Sequence, residues 1–405
     1  MQVEPTTSPE RIIALDVLRG VALLGILVMN VQSFSMIEAA YFNPTAYGDL
    51  TGANYVVWLV SHIFFDQKFM AVFSILFGAG IVLMASRVEA SGRRPAGLHY
   101  RRMFWLIVFG LLHAHLFWFG DVLFIYGVCG LWVYLFRKVR PVWLVTIGLF
   151  VLSISFFLYL FFGWSMPYWP PEQLQEFAAS RQPGPDEIAA ELEIYRSGWL
   201  EQMKHRVPMA LQMELFVIFI WGMWRAAGMM LIGMALYKLG VLTARRSETF
   251  YARMTAVGLM LGLPLVAYGV YRQFTSDWDP AYFFFYGTLF NYWGSLGVSL
   301  GWIGLVMWVY RVSAGGWLRD SLAAVGRTAL TNYLLQTILC TTIFYGHGLG
   351  LYGRVERVGQ LGIVVAIWVI QLVISPIWLR HFRFGPAEWL WRTLTYFKLQ
   401  PMRRT

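Results

Sequence analysis

Residues 141–163 read PVWLVTIGLFVLSISFFLYLFFG, a run without a single Asp, Glu, Lys, Arg or His. A helix needs about 20 apolar residues to cross the hydrocarbon core of a bilayer, and this run is long enough. Comparable runs cover about 12–33, 54–86, 103–118, 120–137, 208–238, 250–272, 283–310, 321–346 and 358–379. The expected fold is therefore all-α: a polytopic transmembrane bundle of about 10 helices. Composition agrees. Only 13% of the 405 residues are charged, against about 25% in soluble proteins, so the chain cannot cover itself with polar surface. Aromatics reach 18%, with 19 Trp, as suits membrane–water interfaces where indole rings collect.

The net charge of +10 could point to nucleic acid, but the distribution of basic residues excludes it. They fall in short clusters between apolar runs: Arg93-Arg94, Arg101-Arg102, Arg137-Lys138, Arg245-Arg246 and Arg403-Arg404. Cytoplasmic loops have this pattern. Basic loops follow the second, fourth, sixth and eighth runs, while Met36–Ala53 and Thr275–Pro280 are poor in Lys and Arg. With an even number of spans both termini, including the basic tail from Arg380, lie in the cytoplasm of an inner (plasma) membrane. Met1–Glu10 is polar and has no basic segment leading to a cleavage site, so the first run is expected to be a retained helix. Cys129 and Cys340 each sit inside an apolar run and are read as packing residues.

The second and sixth runs are too long for one straight crossing, and each carries polar groups, Asp66-Gln67-Lys68 and Trp224-Arg225. Broken or re-entrant helices are expected there. The segment 164–207 opens with Pro167, Pro170 and Pro171 and then places Ile188, Leu192, Ile194, Tyr195 and Leu200 at helical spacing. It is expected outside, as an amphipathic helix on the outer surface or as a cap over a pocket. It divides the chain into an N-terminal five-helix half (1–163), an extracytoplasmic loop (164–207) and a C-terminal five-helix half with a basic tail (208–405).

Ionisable groups within spans are costly and mark pathways, pockets or pairs. Asp16 and Arg19 share a helix face near the cytoplasmic end of the first span. They form either a simple ion pair with Arg19 snorkelling, or a phosphate site for a cytoplasmic donor. His113 and His115 point in different directions. Either could merely bond a neighbouring helix, or His113 could act as a general base beside a carboxylate. Asp121 and Asp66 are the candidate carboxylates; Asp121 lies eight residues on, about 12 Å along a straight helix, so Asp66, on another helix, is the preferred one. Asp66 and Lys68 either join helices or line a watery cavity; Gly78, Ala79 and Gly80 beyond them let another backbone approach. Arg225 and Arg327 are further polar candidates, and Asn332 and Gln336, one turn apart, form a stripe expected to face the bundle interior. Glu388 and Arg392, at i,i+4 spacing, suit a short amphipathic helix on the inner leaflet. No glycine-rich phosphate loop, metal-ligand spacing or serine elbow is present, so no metal is expected.

Several strings resemble a known family. They are Leu15–Gly20, Lys68-Phe69 with Phe73–Gly78, Gly110–His113 with Trp118 and Gly120-Asp121, Gly326-Arg327 with Leu330–Gln336, and Phe384–Pro386 with Glu388–Arg392. Together they resemble the YeiB-like membrane proteins, which carry domain of unknown function 418. That family looks related to a wider group of membrane acyltransferases, including the acyltransferase-three proteins and lysosomal heparan-α-glucosaminide N-acetyltransferase. The resemblance implies transfer of an acyl group from a cytoplasmic acyl-CoA to a small-molecule, glycan or lipid acceptor across the bilayer. Arg19 matches the arginine of the acyltransferase-three first helix. The histidine that follows it there is Asn30 here, so the base would have to be another residue, and His113 is the first choice. Three readings stand at this point: an acyltransferase, a transporter of a small amphipathic molecule, and a non-enzymatic lipid-binding protein.

Overall fold

The computed structural model describes residues 12–313 and 315–404; the polar N-terminal segment Met1–Glu10 lies outside them. Among the described residues the fold is all helical, with one isolated bridge between Phe382 and Arg403. The helices are α1 (Ile13–Ser35), α2 (Glu38–Phe42), α3 (Gly52–Phe64), α4 (Lys68–Ala90), α5 (Ala96–Leu116), α6 (Leu123–Val133), α7 (Pro141–Ser165), α8 (Pro171–Arg181), α9 (Pro185–Arg196), α10 (Trp199–Phe219), α11 (Gly222–Lys238), α12 (Glu248–Thr275), α13 (Thr288–Val312), α14 (Trp317–Arg327), α15 (Ala329–Phe344), α16 (Arg357–His381) and α17 (Pro386–Tyr396). Among the described residues six segments are long and apolar enough to cross a membrane, and a seventh if the bent pair α10–α11 counts as one span. The runs expected at 103–118, 120–137 and 321–346 are helical too. The first begins earlier, at Ala96, and carries Arg101 and Arg102. The second is an 11-residue helix with a short 3-10 turn, and the third divides at Thr328.

Both expected breaks are present, and each is held by side chains that take up the freed carbonyls. Between α3 and α4 the chain turns through Gln67 at φ 64°. The carbonyls of His62 and Phe64, left without helical partners, accept from Lys68 Nζ at 2.6 Å and Trp302 Nε1 at 2.9 Å. Helices α10 and α11 meet at a 51° bend. There Ser155 Oγ donates to Ile220 O at 2.8 Å and Trp224 Nε1 to Phe219 O at 2.9 Å. Non-helical backbone is tolerated at membrane depth only where such partners exist.

Helix α11 is the centre of the bundle, buried almost without interruption from Arg225 to Ala235. It meets α4 backbone to backbone: a Cβ on Gly78 would collide with Met230 O, and one on Gly233 with Ile75 O. Gly80 faces open space, so of the two glycines singled out in the sequence only Gly78 makes the close approach. Helices α1 and α14 touch in the same way, Gly20 against Leu322 and Gly326 against Asp16. The segment 164–207 forms α8, α9 and the start of α10. Helix α9 is seated on the protein: Tyr195 stacks on Tyr352 with ring centroids 4.5 Å apart, and Glu191 accepts from Glu38 N and Tyr352 OH.

The tail helix α17 forms as expected, but Glu388 has a different partner. Its carboxylate accepts from Leu330 N, Thr331 N and Thr331 Oγ1 at 2.6, 3.1 and 2.6 Å. It caps the start of α15, where the division at Thr328 exposes amide groups. Arg392 lies over the Phe384 ring at 4.6 Å.

Candidate functional site

His113 lies between one polar partner from the N-terminal half and one from the C-terminal half, Asp121 and Thr337. Helix α5 stops three residues after it, and the amides of Phe117 and Trp118 both return to the His113 carbonyl at 3.0 Å. The chain then reverses through Gly120-Asp121. Asp121 Oδ2 accepts from Phe124 N at 2.7 Å, which caps α6. Its Oδ1 lies 2.8 Å from His113 Nδ1, with both side chains 2% exposed. His113 Nε2 is 2.9 Å from Thr337 Oγ1 on α15. A carboxylate is an acceptor only, so Nδ1 carries a proton; in the neutral imidazole Nε2 is then left to accept from the Thr337 hydroxyl.

This corrects two expectations. The carboxylate that orients His113 is Asp121 and not Asp66, and the separation read from a straight helix does not apply because α5 ends and folds back. Gly120 followed by an Asp three residues before Phe124 is a turn-and-cap pattern that could have signalled it. Thr337 was missed altogether; it sits one residue past the Asn332–Gln336 stripe. His115 points elsewhere, with Nδ1 3.0 Å from Leu111 O.

Beyond this line lies a cavity of about 300 Å³ lined by Phe117, Trp199, Arg206, Ile338, Thr341, Thr342 and His347. Thr341 stands one helical turn above Thr337. His113, 3% exposed as a whole residue, lines neither this cavity nor the smaller one beside Gln32, so the expectation that it borders a cavity open to the outer surface and leading towards Arg19 is not met, an outcome that weighs towards the transporter reading. A second cavity, about 10 Å³ beside Gln32, Ser61 and Arg357, has room for about one water.

Asp66 belongs to a separate cluster at the break before α4. Asn291 links it to Lys68: Asn291 Nδ2 donates to Asp66 Oδ2 at 2.7 Å, and Lys68 Nζ donates to Asn291 Oδ1 at 2.6 Å. Tyr41 OH and His62 Nδ1 each lie 3.4 Å from the same carboxylate. Arg225, fully buried on α11, donates to Tyr292 O at 3.0 Å and Ser295 Oγ at 2.5 Å. Asn291, Ser295 and Ser299 follow one another at four-residue spacing along α13, a polar stripe that was legible and overlooked.

At the other end of the bundle Arg19 Nη1 donates to Asp16 Oδ1 at 3.0 Å and to Gly326 O at 3.4 Å, and its side chain stays 29% exposed. Arg327 follows at the end of α14. Asn30 is partly buried on α1 and makes no side-chain hydrogen bond among the described residues. The Asn332–Gln336 stripe faces inward, as expected, but against α16. Asn332 Nδ2 donates to Thr328 Oγ1 and Ser375 Oγ, both at 2.9 Å, and Gln336 Nε2 donates to Gln371 Oε1 at 3.0 Å.

Long apolar helices, broken spans with internally satisfied carbonyls and buried polar clusters define a multi-pass helical membrane protein. The comparisons place it further. The family described as "Protein of unknown function (DUF418)" matches residues 236–398. The chain is 34% identical to "Uncharacterized protein YeiB" of Escherichia coli (strain K12), over 95% of this chain and 96% of that relative. It is 31% identical to "Uncharacterized protein YxaH" of Bacillus subtilis (strain 168), over 99% and 98% of the two chains. The chain belongs to the YeiB-like family.

Proposed function

We propose that the chain is an acyltransferase of the bacterial inner (plasma) membrane, moving an acyl group from a cytoplasmic acyl-CoA to an acceptor on the outer side. The observation that carries this reading is the Asp121–His113–Thr337 line, a carboxylate, an imidazole and a hydroxyl in the order that general-base chemistry requires. Thr337 is buried one turn from the cavity's Thr341, so an acceptor hydroxyl or amine entering from the cavity must displace the intervening packing before it passes its proton to Thr337 Oγ1 as the Thr337 proton moves to His113 Nε2. The acceptor attacks the thioester carbonyl, the C–S bond breaks, and the leaving thiolate takes the proton from Nε2. Asp121 holds the ring and stabilises the imidazolium.

The donor's phosphates lie against Arg19, beside Gly326 at the inner face. Thr337 is eight residues into α15, about 12 Å along the helix, a distance that an extended pantetheine arm can span. Both termini then lie in the cytoplasm, with 164–207 outside between the two five-helix halves. Proteoliposomes supplied with radiolabelled acyl-CoA and outer-leaflet acceptors test the reading. Label should reach the acceptor in the wild type and not in His113→Ala. Absence of transfer by the wild type, or its survival in His113→Ala, removes the acyltransferase reading.

Besides the burial of His113 away from both cavities, one observation favours a transporter instead: Asp66, His62, Asn291 and Lys68 join at a broken helix, the arrangement in which ion-coupled carriers hold their charges. Under that reading Lys68→Met abolishes solute flux and Asp121→Asn leaves it unchanged.

A further inference from the structure

Arg206 lies outside the clusters described above; like Arg225 it is a buried cation with an unpartnered Nε, and its guanidinium is 5.9 Å from the ring centroids of Trp199 and Tyr345. Its side chain is 1% exposed, and among the described residues no carboxylate lies within ion-pair distance of it. Nη1 donates to Phe117 O at 2.6 Å, Nη2 reaches only the Met203 sulfur at 3.3 Å, and Nε is buried without any partner. A guanidinium has five donors in a fixed fork, and most of this fork is unused. A buried cation without a counter-charge is costly. The guanidinium lines the outer cavity of about 300 Å³, together with Thr341, Thr342 and His347, which add further hydrogen-bonding groups. The same cavity has an apolar rim, Phe117 at the end of α5, Trp199 at the start of α10 and Ile338 within α15, which are 41%, 37% and 47% exposed. Polar donors at the base and an apolar side open to lipid together describe an amphiphile with an anionic head.

From this arrangement we infer that the cavity binds the phosphate head of an outer-leaflet amphiphile, with Arg206 as the anchor and Thr341, Thr342 and His347 completing the cradle. Guanidinium matches phosphate geometry bidentately; Nε has no partner and Nη2 has only the weak Met203 sulfur to give up. Trp199 and Phe117 flank the path of the apolar tail. The site is defined by binding alone and stands whether or not His113 performs transfer. Its place one turn above Thr337 makes the bound molecule the acceptor, or an acceptor's neighbour, under the proposed chemistry.

The test is native mass spectrometry of the full chain in a non-ionic detergent with short-chain phosphatidic acid, the matching diacylglycerol and inorganic phosphate as probes. Wild type should retain phosphatidic acid at least about tenfold better than diacylglycerol, the size of 1.4 kcal/mol. Arg206→Gln keeps a donor for Phe117 O but removes the charge and the fork. It should unfold at the wild-type temperature and lose the preference. Thr342→Trp fills the cavity without touching Arg206 and should lose it as well, which keeps the inference testable if Arg206→Gln fails to fold. Equal retention of phosphatidic acid by wild type and either folded variant overturns the site. Inorganic phosphate that competes as well as phosphatidic acid overturns the amphiphile and leaves a soluble anion in its place.

Discussion

Replacing Asp121 by Asn probes the candidate site with little change in shape. Asp121 serves two donors at once, His113 Nδ1 at 2.8 Å and Phe124 N at 2.7 Å. An Asn has a single acceptor oxygen. Phe124 N–H cannot turn away without unwinding the start of α6, so the amide oxygen goes to it and the amide NH2 faces His113. The imidazole proton is then driven from Nδ1 to Nε2, which becomes a donor toward Thr337 and loses the lone pair that would accept a proton. Catalysis by a general base is worth about 10²–10⁴-fold, and acyl transfer should fall by that much. Stability should fall less, by about 1–2 kcal/mol, because charge-assisted hydrogen bonds become neutral ones. Nitrogen NMR of histidine-labelled protein in nanodiscs reads the tautomer directly, with His113→Gln supplying the assignment. The wild type should show an Nδ1–H imidazole and Asp121→Asn an Nε2–H one. An unchanged tautomer in the variant would refute the reasoning.

Further outcomes follow from the packing and the charges. Gly78→Leu forces a side chain into Met230 O and should cost about 3 kcal/mol or more in thermal unfolding, at or above the upper end for overpacking, whereas Gly80→Leu, facing open space, should change little. Glu388→Ala removes three hydrogen bonds from the start of α15 and should destabilise by about 1–3 kcal/mol in thermal unfolding. Burial raises the Glu191 carboxyl to about 6 and also raises that of nearby Glu38. Docked α9 therefore binds protons more readily than released α9, so its docking strengthens as pH falls through about 6. Hydrogen exchange of α9, corrected for intrinsic rates, should show greater protection at pH 5 than at pH 7.5. Arg19→Lys retains the charge but loses the planar fork, and should fold normally while acyl-CoA affinity drops at least about tenfold in equilibrium binding, again 1.4 kcal/mol.

The long apolar runs made the helical membrane fold legible because lipid allows few alternatives to a helix. Both breaks were legible too, since Asp66-Gln67-Lys68 and the bend before Arg225 mark places where a straight span would strand charge. Where helices were shorter, local periodicity misled. The division of α14 from α15 depends on Glu388, more than fifty residues away in sequence, reaching Leu330 and Thr331. Such a cap has no local signature. The pairing of His113 with Asp121 is hidden for the opposite reason: the separation along a straight helix does not apply where α5 ends and the chain reverses through Gly120-Asp121. Thr337 and Arg206 were invisible because their meaning comes from tertiary neighbours, an imidazole in one case and an absent counter-charge in the other.

The most direct test of acyl transfer through this site is an experimental structure of the wild-type chain in nanodiscs with a non-hydrolysable thioether analogue of acyl-CoA. The account predicts the phosphates against Arg19 beside Gly326, the pantetheine arm along α15, and the carbon that stands in for the thioester carbonyl within reach of Thr337 and His113. Density for the analogue elsewhere on the chain, or an empty interior at saturating analogue with Asp121, His113 and Thr337 still bonded to one another, would contradict it.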